Sequence, residues 1–250
     1  GASPMLRRGG RGGIAFVLFF LAGLLTCAPA AQAATVPFDY TTFTANGLGN
    51  KVTVTSSCLN YTNIETYSAN TYVWKNSATQ GDFVYEFDGM MTAGDTFTYE
   101  TVLWGVTSTA NESWDDWTDG LLVAFKKWGT TFQVWLESKS GGGNWFANLA
   151  MNTRYYFRVK RVGTAVTLQI YTDANRTVLA ATLNLTVSSA VNYPYLYAFD
   201  TQDGSSTGNK VTGDVCRLAK IVTQTGPAAP VLNAPQAGNK NVALSWSTVT

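Results

Sequence analysis

From residue 51 onward the chain repeats one pattern: a short run of alternating apolar and polar positions, then turn residues, then another run. The runs occupy residues 51–55, 71–75, 83–91, 96–106, 121–128, 132–137, 155–161, 166–172, 178–187, 193–199 and 213–222. In the third, Phe83, Tyr85 and Phe87 fall on one face while Val84, Glu86 and Asp88 fall on the other. Alternation with period two places successive side chains on opposite sides of a strand, so these runs predict half-buried antiparallel strands. No sustained 3.6-residue apolar period occurs beyond residue 33. Many short strands without helices predict an all-β sandwich or barrel. Gly129-Thr130, Gly163-Thr164 and Asp173-Ala174-Asn175 are hairpin-turn candidates, since Gly and Asn take positive φ at little cost. Longer connections are expected at 108–120, 138–145 and 200–214.

The first 33 residues break this pattern. Arg7, Arg8 and Arg11 precede an apolar stretch at 14–25 (IAFVLFFLAGLL), and Ala31-Gln32-Ala33 follows with small residues flanking one position. That is the order of a secretory signal, and the stretch is too short for a spanning helix. Residues 1–33 are therefore read as an export signal, with residues 1–4 ahead of Met5 outside its ordinary start. Cys27 would mark a lipidation site in a competing reading, which the Thr26 before it fits poorly. Export implies a secreted or cell-surface location, with membrane contact only through the signal. Cys58 and Cys216 then remain, and oxidising compartments favour a disulfide between them, with two buried thiols as the alternative.

Composition narrows the function classes. Aromatic residues make up 13% and charged residues 13%, well below the roughly 25% charge of an average soluble domain. Loss of three arginines with the signal turns a chain of net charge +1 mildly acidic. No basic patch remains to pair with phosphates, which argues against a nucleic-acid partner. Histidine is absent, which removes His-based triads and His general bases.

Four segments carry a family likeness: KVTVTS at 51–56; TYVWK at 71–75 with GDFVYEFD at 81–88; NTRYYFRVKR at 152–161 with VTLQIY at 166–171 and DANRTVL at 173–179; and YPYLYA at 193–198 with the closing GDVCRL at 213–218. Together they resemble the concanavalin A-like lectin/glucanase superfamily, close to laminin-G-type domains, over residues 34–223. The resemblance implies a jelly-roll sandwich of two antiparallel sheets. Residues 224–230 (QTGPAAP) read as a linker, and 231–250 (VLNAPQAGNKNVALSWSTVT) resemble the start of a fibronectin type III domain. So short a segment cannot bury a sandwich core, and further C-terminal domains are expected.

Candidate chemistry is sparse. Glu86 and Asp88 share a strand face and are similar to the E-x-D core of glucanases, but Gly89, Met90 and Met91 supply no third carboxylate. An outward, solvated pair is the plainer reading; as catalysts they are weak candidates. The loop at 108–120 gathers Trp114, Trp117 and three Asp, and Trp145 and Phe146 follow the Gly-rich segment, so these four aromatics are candidate sugar-stacking residues. Laminin-G-type domains hold calcium at the sandwich rim, and the resemblance points to Asp116, Asp119, Asp200 and Asp203 as ligands. Clustered loop carboxylates suit Ca2+; a solvated acidic surface is the other reading. Trp74, Trp104, Trp128 and Trp135 lie within strands and are expected in the core. Three functions follow: a carbohydrate-binding or adhesion module for a polysaccharide or cell-surface glycan, a surface or coat structural domain, or a polysaccharide hydrolase or lyase.

Overall fold

A computed structural model describes residues 33–65, 71–139, 143–187, 191–201 and 208–223. Residues 1–32 of the expected export signal (1–33), the expected linker, the fibronectin-like segment and Asp203 lie outside the described residues. Among the described residues fifteen strands follow one another: β1 (Ala33–Pro37), β2 (Thr44–Asn46), β3 (Val52–Val54), β4 (Cys58–Glu65), β5 (Tyr72–Gln80), β6 (Phe83–Gly94), β7 (Phe97–Thr107) and β8 (Leu121–Trp128). The rest are β9 (Thr131–Ser138), β10 (Asn144–Leu149), β11 (Tyr155–Val162), β12 (Ala165–Tyr171), β13 (Leu179–Thr186), β14 (Tyr193–Thr201) and β15 (Lys210–Thr223). They form two antiparallel sheets. Sheet A has the order β13-β12-β11-β6-β15-β4-β3, with β1 also on β15; sheet B has the order β10-β9-β8-β7-β14-β5-β2.

The two sheets share one core, to which each strand contributes alternate residues. From sheet A come Phe83, Tyr85, Phe87, Phe157 and Val159; from sheet B come Trp104, Phe125, Val134 and Leu196. Phe87 stacks on Phe157 at 5.0 Å between ring centroids, and Trp104 lies 5.5 Å from Phe83 and 5.6 Å from Tyr85. Offset aromatic packing of this kind adds to the burial of large apolar surfaces. Of the four strand tryptophans, only Trp104 belongs to this core; Trp74 and Trp135 are half-buried on the outer face of sheet B, and Trp128 is exposed. Alternation places a residue on a face but does not say which face the second sheet covers.

The predicted strands are present, with shifted ends, and four more appear: β1, β2, β4 and β10. β4 keeps its period for only part of its length, Leu59 and Tyr61 alternating with Asn60 and Thr62 before two exposed residues, Thr62 and Asn63, follow in succession. Its buried residues, Leu59, Tyr61 and Ile64, also change spacing where the register with β15 shifts between Val211 and Gly213. The segment at 138–145, expected as loop, gives its end to β10. Cys58 and Cys216 face each other across β4 and β15 and form a disulfide. It closes a loop of 158 residues, for which chain entropy assigns about 5 kcal/mol. No helix among the described residues is long and apolar enough to cross a membrane.

Candidate functional site

The loop between β7 and β8 decides what the outer face of sheet B can offer. Its two indoles are not a rim platform: Trp114 and Trp117 are 6% and 3% exposed. They pack with Tyr72, Val102, Leu122, Ala124 and Tyr197, a second apolar cluster. Covering that apolar patch removes more surface from water than a projecting indole would. Trp117 sits 4.6 Å from Tyr197 and its Cη2 lies only 2.6 Å from where a Cβ on Gly105 would stand. Hydrogen bonds pin the loop from several sides. The Tyr72 hydroxyl donates to the Asn111 carbonyl, the Tyr197 hydroxyl to that of Thr109, and Trp117 Nε1 to that of Glu112.

Two acidic residues of this region, Asp119 and Asp200, serve the same fastening. Asp119 Oδ1 accepts from the Ser108 N–H at 2.9 Å and from the Thr107 hydroxyl. Asp200 is fully buried; it accepts from the Trp114 N–H and the Ser113 hydroxyl, and its Oδ2 has no hydrogen-bond partner. Burial pushes the Asp200 carboxyl well above its ordinary range, and the nearby Asp115 pushes the same way. Asp116 lies in a 3-10 turn at Trp114–Asp116. Among the described residues no three Asp, Glu, His or Cys side chains gather to hold a metal ion.

Beside the loop, an open part of the same face combines aromatic and charged groups. Ala124 on β8 pairs with Trp135 on β9, and Trp135 pairs with Phe146 on β10, so the two rings sit side by side facing outward. Their centroids are 5.1 Å apart at 25°, and Phe146 is 50% exposed. Lys126 Nζ lies 4.7 Å from the Trp135 ring and 2.6 Å from Glu100 Oε1 on β7. Glu137, two residues beyond Trp135, has its carboxyl raised by burial first and by the charge of Glu100 second, against the pull of Lys139 and Lys126. Gln133 and Asn148 extend this polar row. Trp145 is also exposed, but its pairing with core-facing Leu136 turns it to the opposite side of β10. Thus Phe146 belongs to this surface, whereas Trp114, Trp117 and Trp145 do not. Sequence reasoning assigned Trp135 to the core; its pairing with Phe146, two outward aromatics on neighbouring strands, was the missed signal.

Glu86 and Asp88 do face outward, on sheet A, but they are not solvated. Arg158 and Arg176 approach Glu86 at 2.6 and 3.1 Å; Arg154 and Arg217 hold Asp88, and Arg154 also reaches Asp214 at 2.7 Å. Asp88 is fully buried beneath these guanidinium groups. Glu100 and Glu137 lie on the other sheet, so no third carboxylate from there completes a glucanase-like triplet.

No family model matches the chain, and neither does any curated protein. Solved structures do. A native glycosidic hydrolase superposes with a TM-score of 0.51 at 11% identity, covering 78% of this chain and 97% of its own. The exoplasmic/lumenal domain of VIP36, in a form bound to Ca2+ and Man3GlcNAc, gives 0.50 at 10% identity, covering 78% and 91%. At such identities the likeness is one of architecture: the described chain folds as a concanavalin A-like jelly-roll sandwich.

Proposed function

We propose that the protein is an exported glycan-binding module whose binding face is the outer surface of sheet B beside the packed loop. The observation that carries this reading is the outward Trp135–Phe146 pair flanked by Glu100, Lys126 and Glu137. Aromatic faces take the apolar side of a pyranose ring, while adjacent charged groups hydrogen-bond its hydroxyls. Strand spacing of about 4.8 Å lets a sugar chain running across the strands meet one strand for roughly each unit. The Cys58–Cys216 disulfide is compatible with the oxidising compartment that export implies.

The test is a glycan-array screen of the full chain, with and without Ca2+, repeated for Trp135→Ala and Phe146→Ala. Binding that falls at least tenfold in either variant, with the thermal midpoint held, supports the face. Dependence on Ca2+ would add a cation to the reading. A folded protein that binds no glycan would instead favour a structural module, for which the packed-down tryptophan loop already speaks. Hydrolysis is a second reading, supported by the raised Glu137 carboxyl near Glu100, the paired environment that general acid chemistry uses. Reducing-sugar release that Glu137→Gln abolishes while binding persists would establish it.

A further inference from the structure

The opposite face of the sandwich carries a cleft with a volume of about 470 Å³. Tyr156, Arg176 and Arg217 line it, together with Glu86 and the small side chains of Ala174 and Ala219. Two independent features single it out.

The first is backbone conformation. Five non-glycine residues among those described adopt positive φ; three are Asn, which tolerates it, and the other two are Arg176 and Arg217, each at 55°. Both of these line the cleft. Arg217 is held in the bulge of β15 between Cys216 and Ala219, where its N–H donates to the Ser57 carbonyl at 2.7 Å beside the disulfide. The Arg176 N–H donates to the Asp173 carbonyl, and the Asp173 carboxylate fastens the turn through the Thr177 and Val178 N–H groups. Sterically disfavoured geometry is thus imposed twice, and both times it delivers a guanidinium to the same depression.

The second is charge. Arg154, Arg158, Arg176 and Arg217 meet three carboxylates, Glu86, Asp88 and Asp214, which leaves one positive charge over. Arg217 is the open member. Only its Nε is engaged, with Asp88 at 2.7 Å; its side chain is 57% exposed, and its guanidinium stands 5.9 Å from the Tyr156 ring. Among the described residues its two Nη groups have no hydrogen-bond partner. They form a planar fork that matches a carboxylate.

We propose that this cleft binds an acidic polysaccharide, with Arg217 taking a uronate carboxylate and the Tyr156 ring supporting the sugar. An acidic peptide fits less well. Strands β6, β11 and β15 under the cleft are paired on both sides, so no sheet edge is open to a peptide backbone. The site lies on sheet A and stands or falls independently of the sheet B face.

Calorimetric titration of the full chain with oligogalacturonate, and with the same oligomer fully methyl-esterified, tests the assignment. The acid should bind at least tenfold tighter than the ester and weaken as salt is raised. Arg217→Gln should lose at least tenfold for the acid with its thermal midpoint held, whereas Trp135→Ala should bind the acid as before. If Arg217→Gln does not fold, arginine side-chain NMR on the unaltered protein replaces it, with acid-induced shifts expected at Arg217 and Arg176. Equal affinity for acid and ester, unchanged binding by Arg217→Gln, absence of those shifts, or equally tight binding of oligoglutamate would overturn the proposal.

Discussion

Replacing Asp200 by Asn exchanges one oxygen for an amide inside the layer between sheet B and its loop, and it alters how stability depends on pH. The folded state holds the Asp200 proton more tightly than the unfolded chain does, because burial disfavours the charged form. In the window from the ordinary value of 3.8 up to the raised folded value, the native state therefore binds more protons than the unfolded state. Stability is full below that window and falls as pH rises through it, by up to about 1.4 kcal/mol per pH unit for one proton. Above the folded value the loss is complete and the curve flattens. Asn is neutral throughout and keeps an oxygen for the Trp114 and Ser113 donors, so Asp200→Asn should lack this component and should exceed the wild type at pH 7. In a domain of this size each kcal/mol moves the thermal midpoint by about 2–4 °C. Asp88 and Glu137 also have raised carboxyls and tilt both curves alike, so the informative quantity is the difference between variant and wild type. Urea unfolding of both proteins at half-unit steps from pH 3.5 to 8, with the disulfide intact, measures it. Parallel curves, or a variant less stable than wild type at pH 7, would refute the reasoning.

Three further outcomes are expected. Gly213→Ala places a Cβ against the Met90 carbonyl and 2.6 Å from the Tyr61 hydroxyl, in a buried part of β15; a backbone atom cannot yield cheaply, so chemical denaturation should show a loss of about 3 kcal/mol or more. Gly105→Ala drives a methyl into Trp117, so the loop should lift, and tryptophan fluorescence should shift to the red with a stability loss of about 1–3 kcal/mol. Replacing Cys58 and Cys216 together by Ala should destabilise the fold by roughly 5 kcal/mol on the chain-entropy account; a loss below about 1 kcal/mol in denaturant would count against that account here.

The sequence by itself determined the class of fold, because period-two alternation has few physical causes. Once Phe83, Tyr85 and Phe87 alternate with Val84, Glu86 and Asp88, a two-sided strand is the economical solution. It also exposed Cys58 and Cys216 as a candidate pair, and Phe146 as a candidate surface aromatic. What it could not supply was the environment of each face. Glu86 and Asp88 look solvated until Arg154 and Arg217, distant in the chain, are brought onto Asp88 by β11 and β15. Trp114 and Trp117 look like a binding platform until the loop folds down onto Tyr197, and Trp135 looks like core until Phe146 arrives beside it on the outside. Arg176 and Arg217 gave no periodic signal, because each sits at an irregularity, a turn and a bulge. Local pattern reports which side of a strand a residue occupies. Only the tertiary structure decides what lies on that side, because the strands that meet there come from distant parts of the chain.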